Sequence, residues 1–243
     1  MKAPNMIVKL SIITLFSCAI CFCGSADKNH FQSFEKEDAA EDATLELERE
    51  KPQKAIDILE KELAADGENY QLLSLLSSAY AQKHGIDVIR FAISLASSET
   101  KTANPLTALW PALPEATEEN VDGVEYAVDI LAAIPAEART NADSFKLGLL
   151  STCLVSLQLK ALDLDGDGTL SLEELLRLTS TDAATVFSGL AGAVSALASM
   201  SNSLGDNSGA ASSQIEDIYQ SLQSSSGDSQ EEQLTNYLQN NPG

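Results

Sequence analysis

Residues 163–174 read DLDGDGTLSLEE, and this acidic loop is the stretch around which the rest of the chain is organised. Five side chains with oxygen atoms fall at its first, third, fifth, ninth and twelfth positions: Asp163, Asp165, Asp167, Ser171 and Glu174. A hard cation such as Ca²⁺ takes about six to eight oxygen ligands at about 2.3–2.6 Å, and a loop of this length can wrap them around one point. We therefore predict a calcium site, to which Thr169 adds its backbone carbonyl and Glu174 two oxygens.

The spacing resembles the EF-hand loop, in which three acidic or amide residues alternate before a glycine and a glutamate follows at the twelfth position. Gly168 stands at the glycine position, where the chain turns sharply. Ser171 would bind the ion directly or through a water. Mg²⁺ is less favoured, because a bidentate Glu174 suits the larger ion. An acidic turn that matches the pattern by chance is the alternative.

The residues on both sides of the loop favour a helix–loop–helix unit. Leu159 and Leu162 precede it, Leu175 and Leu178 follow it, and the helix leading into it, at 145–162, is apolar on nearly every face. Cys153 in that helix is predicted to be a core residue. No second loop of this kind is found, and the helix after the loop is expected to be short because a polar run follows at 179–182. Both features favour a structural clasp over a signalling switch.

Composition excludes several classes of function. The formal net charge is −21, from 15 basic and 36 acidic residues, so that a nucleic-acid partner is not expected. The two histidines, His30 and His84, lie apart from any nucleophile or metal-binding pattern. We therefore expect that the protein is not an enzyme. A protein partner is expected, but the sequence does not identify it.

The first 26 residues are interpreted as an export segment, because a short apolar core follows Lys2 and Lys9. Two cysteines are candidates for lipidation. Cys18 follows a stretch that resembles a bacterial lipobox, and Cys23 precedes a polar stretch like the tether of a lipoprotein. Cleavage after Ala26 without lipidation is the alternative. The prediction is an exported protein of the periplasm or outer envelope, which would meet the membrane only through an N-terminal lipid anchor.

The remaining chain is predicted to be all-α, built from helical hairpins or a bundle. A polar tether is expected over 27–44, a helical domain over 45–204, and a Ser/Gly/Gln-rich, loosely attached tail with short helices over 205–243. Two helix starts are predicted, one capped by Asp122 or Asn120 and one capped by Asp182.

Residues 44–97 resemble tetratricopeptide repeats. Ala55 and Leu59 take second-helix positions, while Leu76 and Tyr80 take first-helix positions of the next unit. A partner helix is expected from Ile86 to Ser97. The resemblance implies stacked helical hairpins that contact other proteins, and an ordinary helix bundle with the same periodicity is the alternative.

Two further segments leave alternatives open. The stretch 183–205 carries no charge, and it is interpreted as a closely packed core helix. The alternative is a helix that meets the membrane, which would make the protein a component of an envelope transport or pore assembly. Trp110, between prolines, is predicted to fill the edge of the core, with stacking on a ligand as the other interpretation.

Overall fold

The protein is all-helical in its computed structural model, as the sequence predicts. The structure describes residues 32–65, 67–88, 90–92, 106–204 and 209–241. Two compact units are distinguished, Met1–Glu37 and Asp38–Gly243. In the first unit only residues 32–37 are described, and they are helical. The predicted export segment, with Cys18 and Cys23, lies outside the described residues.

In chain order the α-helices are α1 (Gln32–Glu48), α2 (Pro52–Leu63), α3 (Tyr70–Lys83), α4 (Glu118–Ala132), α5 (Asn141–Lys160), α6 (Leu172–Leu175), α7 (Ser180–Leu204), α8 (Gly209–Gln223) and α9 (Gln230–Asn240). A 3-10 helix, Thr107–Ala112, lies between α3 and α4. Residues 88 and 90–92 are also helical. They belong to the predicted partner helix from Ile86 to Ser97, of which residues 93–97 lie outside the described part.

The N-terminal helices of the second unit form a layer with its own small core. This core contains Ala40, Ala43, Ala55, Ile56, Leu59, Leu72, Leu76, Ala79 and Ile130. Ala55, Leu59 and Leu76, which the repeat resemblance singles out, are buried in this core, and Tyr80 packs against it while half-buried. Polar contacts add to this packing. The Tyr80 hydroxyl on α3 donates to Glu60 on α2 at 2.7 Å, and Ser77 Oγ on α3 donates to the Ala127 carbonyl on α4 at 2.7 Å. The tetratricopeptide resemblance stays a prediction.

Helix α5 lies at the centre of the larger core. It is buried nearly all round, as predicted, and Leu150, Cys153 and Leu157 are fully buried. Burial raises the pKa of the Cys153 thiol, so this cysteine acts as a small core side chain. Helix α7 packs along α5, and they approach so closely at Gly189 that a Cβ there would lie 2.7 Å from Val155 Cγ2.

The uncharged stretch predicted as a core helix is α7, and its apolar residues face the same core. Ala183, Val186, Phe187, Leu190, Ala193 and Ala196 are buried. No helix in the described ranges combines the length and apolar character that crossing a membrane requires. Trp110 is also buried, at 4% exposure, within this core cluster, as expected of a residue that fills the core edge.

Both predicted helix caps are wrong. Helix α4 begins at Glu118, and its N-cap is Thr117, whose side chain accepts from the backbone N–H of Asn120 at 3.2 Å. Helix α7 begins at Ser180, and Thr179 and Asp182 exchange the reciprocal bonds of a capping box. In both cases the first turn is polar, so the apolar stripe begins later than the helix.

The predicted ends of the helical domain also need correction. Helix α1 begins inside the segment predicted as a tether, and Ala40 and Ala43 of that segment are buried. The tail is helical, as expected, but it is not loosely attached. Its two helices place six apolar side chains in the main core: Ile215, Ile218, Leu222, Leu234, Tyr237 and Leu238. These side chains recur at helical spacing, which gives α8 and α9 faces that must be buried.

Candidate metal centre

The acidic loop joins the end of α5 to the start of α6, and leucines on both sides fix it to the core. Leu159 on α5 and Leu175 on α6 are buried, as is Leu178 just beyond. Leu170, within the loop, packs against the same core while partly exposed. The backbone around the acidic side chains is therefore held in place, and most of the side chains themselves face solvent.

Three of the predicted ligands come together. Asp163, Asp165 and Glu174 each offer a carboxylate oxygen, and these oxygens all lie within 4.8 Å of one another. Glu174 is buried at 5% exposure, whereas Asp165 is exposed. Like charges so close repel each other strongly unless a cation lies between them. Hard carboxylate oxygens are also the donors that Ca²⁺ and Mg²⁺ prefer, so this donor set fits the predicted ion.

The loop turns through two glycines in the left-handed region of backbone space. Gly166 has a φ of 71° and Gly168 a φ of 88°, values that residues with a Cβ rarely adopt. Asp163 holds both turns, because its Oδ1 accepts from the Gly166 N–H at 2.8 Å and its Oδ2 from the Gly168 N–H at 3.0 Å. The sharp turn predicted at Gly168 is confirmed, and the second turn at Gly166 was missed.

Glu174 connects the two ends of the loop. Its Oε1 accepts from the backbone N–H of Leu164 at 2.6 Å, and its Oε2 accepts from the N–H and hydroxyl of Ser171 at 2.9 and 2.8 Å. The backbone N–H of Ser171, then that of Leu164, then the Ser171 hydroxyl lower the pKa of Glu174 to about 2. The carboxyl is therefore ionised at neutral pH, which is the form that a metal ion requires.

The other predicted ligands have different positions. Asp167 does not belong to the carboxylate cluster, and its Oδ1 accepts from the N–H and hydroxyl of Thr169 at 2.8 and 2.7 Å. Ser171 is the N-cap of α6 and forms a capping box with Glu174. The structure thus brings together the first, third and twelfth positions of the loop, while the fifth and seventh bind each other.

Lys160 is a residue of this region that the sequence did not indicate. Its ammonium group donates to the backbone carbonyls of Pro114 at 3.0 Å, Trp110 at 3.4 Å and Leu113 at 3.5 Å. It thereby ties the end of α5, just before Asp163, to residues 106–114, which we call the proline-rich segment. A cavity of about 490 Å³ lies between that segment and the loop.

A polar network at the other end of α5 was also missed. Ser74 Oγ donates to Asp143, and the ammonium of Lys146 donates to the Ser74 hydroxyl and carbonyl, both at 2.9 Å. Burial lowers the pKa of Lys146 to about 8, although Asp143 opposes this shift. The network joins α3 to α5. The sequence carries one signal for part of this network. Thr140 lies three residues before Asp143, which is the spacing of a capping box, and the two residues form such a box at the start of α5.

Comparisons of the chain with protein-family models, with curated proteins and with solved structures gave no match.

Proposed function

We propose that this protein binds Ca²⁺ at residues 163–174 and uses the ion as a clasp between α5 and the chain that follows. The observation that carries this proposal is the approach of three carboxylates, from Asp163, Asp165 and Glu174, within one glycine-turned loop. Asp167, the Thr169 carbonyl and Ser171 complete the proposed ligand set, as the EF-hand resemblance implies.

A structural role is favoured by how the loop is bounded. Helix α6 has only four residues, Leu172–Leu175, and a helix of about one turn has little length over which to amplify a small shift at the loop. Leu175 and Leu178 are buried in the same core as α5, so the chain on both sides of the loop is already fixed. At a free Ca²⁺ concentration about ten times Kd, the ion would stabilise the fold by about 1.4 kcal/mol.

Isothermal titration calorimetry with CaCl₂ tests the proposal. Glu174→Gln and Asp163→Asn should each weaken binding at least about tenfold, because each removes a charged ligand of a hard cation. Glu173→Gln is the matched control, since it removes the same charge from an adjacent, exposed residue outside the carboxylate cluster. Binding by the unaltered protein should be accompanied by a higher melting temperature.

Two results would contradict calcium binding. One is that the unaltered protein shows neither a heat of binding nor a rise in melting temperature at a Ca²⁺ concentration several times that of an extracellular fluid. The other is that Glu173→Gln weakens Ca²⁺ binding as much as Glu174→Gln does, which would indicate that the ion is attracted to the acidic surface in general. A competing titration with MgCl₂ distinguishes the two hard cations.

We propose further that the protein is exported to the cell envelope, with Cys18 or Cys23 as the site of a lipid anchor. The support is the sequence of residues 1–26 alone. Metabolic labelling with a fatty acid should mark the unaltered protein, and one of Cys18→Ser and Cys23→Ser should abolish the label. Labelling that survives both substitutions together would refute lipidation at these cysteines.

The helical layer of α1 to α3 is proposed to contact another protein, as the repeat resemblance implies. The alternative function, a membrane-associated component of a transport or pore assembly, would use the helix at 183–205. It would require α7 to leave a core in which Val186 and Leu190 are buried. Removal of residues 1–26 tests this alternative, because detergent dependence of the shortened protein would favour it.

A further inference from the structure

Two tyrosines from neighbouring helices meet at the surface of the protein. The rings of Tyr80 on α3 and Tyr126 on α4 have centroids 4.7 Å apart and planes at 84° to each other. This edge-to-face arrangement is one that aromatic rings favour. Tyr80 is half-buried, whereas Tyr126 is 48% exposed. We call Tyr80 and Tyr126 the tyrosine pair, and its outer ring is open to solvent.

The tyrosine pair already attracts a cation of its own chain. The ammonium of Lys83, three residues after Tyr80 on α3, lies over the Tyr80 ring at 5.8 Å from the centroid. This distance is within the range of a cation–π contact, in which the negative face of an aromatic ring attracts a positive group. Among the described residues, no cation lies over the ring of Tyr126. The outer ring can therefore accept a cation from another molecule.

Carboxylates of α2 border the Tyr80 side of the pair. The Tyr80 hydroxyl donates to Glu60 Oε1 at 2.7 Å. Burial raises the pKa of this hydroxyl, and the hydrogen bond to Glu60 and the electrostatic effects of Glu60, Tyr126 and Asp57 raise it further. Asp57 thus lies close enough to act on Tyr80. Both Glu60 and Asp57 are exposed, and neither belongs to the acidic loop.

Carboxylates also flank Tyr126, because the outer face of α4 is acidic. Helix α4 contains five carboxylates and no lysine or arginine. Asp122 lies four residues before Tyr126 and Asp129 three residues after it, so both are its neighbours on the helix surface, and both are exposed. In the part of the chain that the structure describes, no carboxylate of α4 is in an ion pair. The negative charge beside Tyr126 is therefore not neutralised by the chain itself.

These charges and rings identify the chemistry of the partner. A second copy of the chain would bring the same carboxylates face to face, and a nucleic acid or an anionic membrane would repel a protein of net charge −21. Arginine is the side chain that fits best, because its planar guanidinium stacks on aromatic faces and donates to carboxylates. Lysine supplies the same charge, but its ammonium is more strongly hydrated.

We propose that the tyrosine pair docks an arginine-bearing segment of a partner protein. The guanidinium would lie on the exposed ring of Tyr126, and its N–H groups would donate to Asp122 or Asp129. The proposal rests on the protein contact proposed for the helical layer, which α4 borders through Ile130, and it names the chemistry of that partner. It uses no residue of the acidic loop, so it does not depend on calcium binding.

A fluorescence-anisotropy titration of the full-length protein tests docking. The probe is a fluorescein-labelled peptide in which arginines alternate with glycines. Tyr126→Ala should weaken its binding about two- to fivefold, which is the contribution of an exposed cation–π contact, whereas Tyr126→Phe keeps the ring and should bind as the unaltered protein does. Tyr70→Ala is the matched control, at an exposed tyrosine at the other end of α3, and should leave Kd unchanged. Melting temperatures verify that each variant is folded.

Charge variants separate docking at this site from general attraction to an acidic protein. The titrations are run at physiological ionic strength, where attraction between charges more than about 8 Å apart is largely screened. Asp122→Asn with Asp129→Asn should weaken binding about two- to tenfold, because two exposed ion pairs are lost. Glu216→Gln with Asp217→Asn removes the same charge from two exposed carboxylates of α8 and should leave Kd unchanged.

The cation that the chain itself supplies gives a test of opposite sign. Lys83→Met should tighten binding of the arginine peptide, because it frees the Tyr80 ring and removes a like charge beside the incoming guanidinium. Arg177→Met, which removes an exposed charge outside α2 to α4, should not change Kd. Equal tightening by the two substitutions would contradict docking at the tyrosine pair.

A peptide with citrulline in place of arginine distinguishes a basic partner from any other partner segment. Citrulline has nearly the same shape but no charge, so this peptide should bind much more weakly. Equal binding of the two peptides, lost in Tyr126→Ala, would overturn the requirement for arginine and leave a protein contact at the helical layer.

Other results would overturn docking at the tyrosine pair altogether. These are an unchanged Kd in Tyr126→Ala, equal weakening by the double variants of α4 and α8, and binding of neither peptide. A dimer in sedimentation that Tyr126→Ala abolishes, with no peptide binding, would identify the surface as a contact between copies and refute the proposal.

Discussion

The closeness of α5 and α7 makes a specific prediction about two glycines of α7. A methyl group added at Gly189 would lie 2.7 Å from Val155 Cγ2, whereas one added at Gly192 would meet nothing within 4 Å. Val155 is buried at 1% exposure, and its branched side chain has one strongly preferred rotamer in a helix. Gly189→Ala therefore overpacks the central contact of the protein, and Gly192→Ala does not.

The two substitutions share the same gain in helix propensity, so the difference between their free energies of unfolding measures the effect of packing alone. Alanine should stabilise an exposed helical position by about 0.5–1 kcal/mol relative to glycine. That is the whole effect expected at Gly192. At Gly189 the overpacking cost is about 1–3 kcal/mol, which offsets the gain in helix propensity and leaves a net loss of up to about 2.5 kcal/mol. Gly192→Ala should thus be more stable than Gly189→Ala by about 1–3 kcal/mol.

Urea unfolding followed by far-ultraviolet circular dichroism measures this difference. Val155→Ala supplies the internal check, because it removes the side chain that the new methyl group would meet. Gly189→Ala should then cost less in the Val155→Ala background than in the unaltered protein. Equal stability of the Gly189→Ala and Gly192→Ala variants would refute close packing of α7 on α5, and with it the assignment of 183–205 to the core.

Three further predictions concern caps and titrating groups. Thr117→Ala should cost about 1 kcal/mol as the loss of an N-cap, and Asp122→Ala should cost less than half as much by the same urea measurement. The backbone N–H of Ser171, foremost among its donors, lowers the pKa of Glu174 from 4.5 to about 2; this ionised carboxyl therefore stabilises the fold above its ordinary pKa. In EDTA, the unaltered protein should melt at a higher temperature than Glu174→Gln at neutral pH, and this difference should be lost as the pH falls toward 2. Burial lowers the pKa of Lys146 from 10.5 to about 8, so its charged form is a cost to folding. The free energy of unfolding of the unaltered protein should therefore rise relative to that of Lys146→Met as the pH increases from about 8 to 10.5. A difference between the two proteins that stays constant over this pH range would contradict the prediction.

The loop could be read from the sequence because its chemistry is local. Asp163, Asp165 and Glu174 lie within twelve consecutive positions, and one glycine turn is enough to predict that their oxygens converge. The buried character of α5 was readable for the same reason, since its apolar residues leave no face for solvent. What the pattern did not reveal is that Asp167 pairs with Thr169 and stays outside the cluster.

The features that the sequence missed depend on distant residues or on polar first turns. Ser74 and Asp143 are 69 positions apart, and no periodicity connects a serine on α3 to an aspartate that caps α5. The contact of Lys160 with the carbonyls of the proline-rich segment is of the same kind. The caps at Thr117 and Thr179 were missed because an apolar stripe marks where a helix is buried, which is later than where it begins.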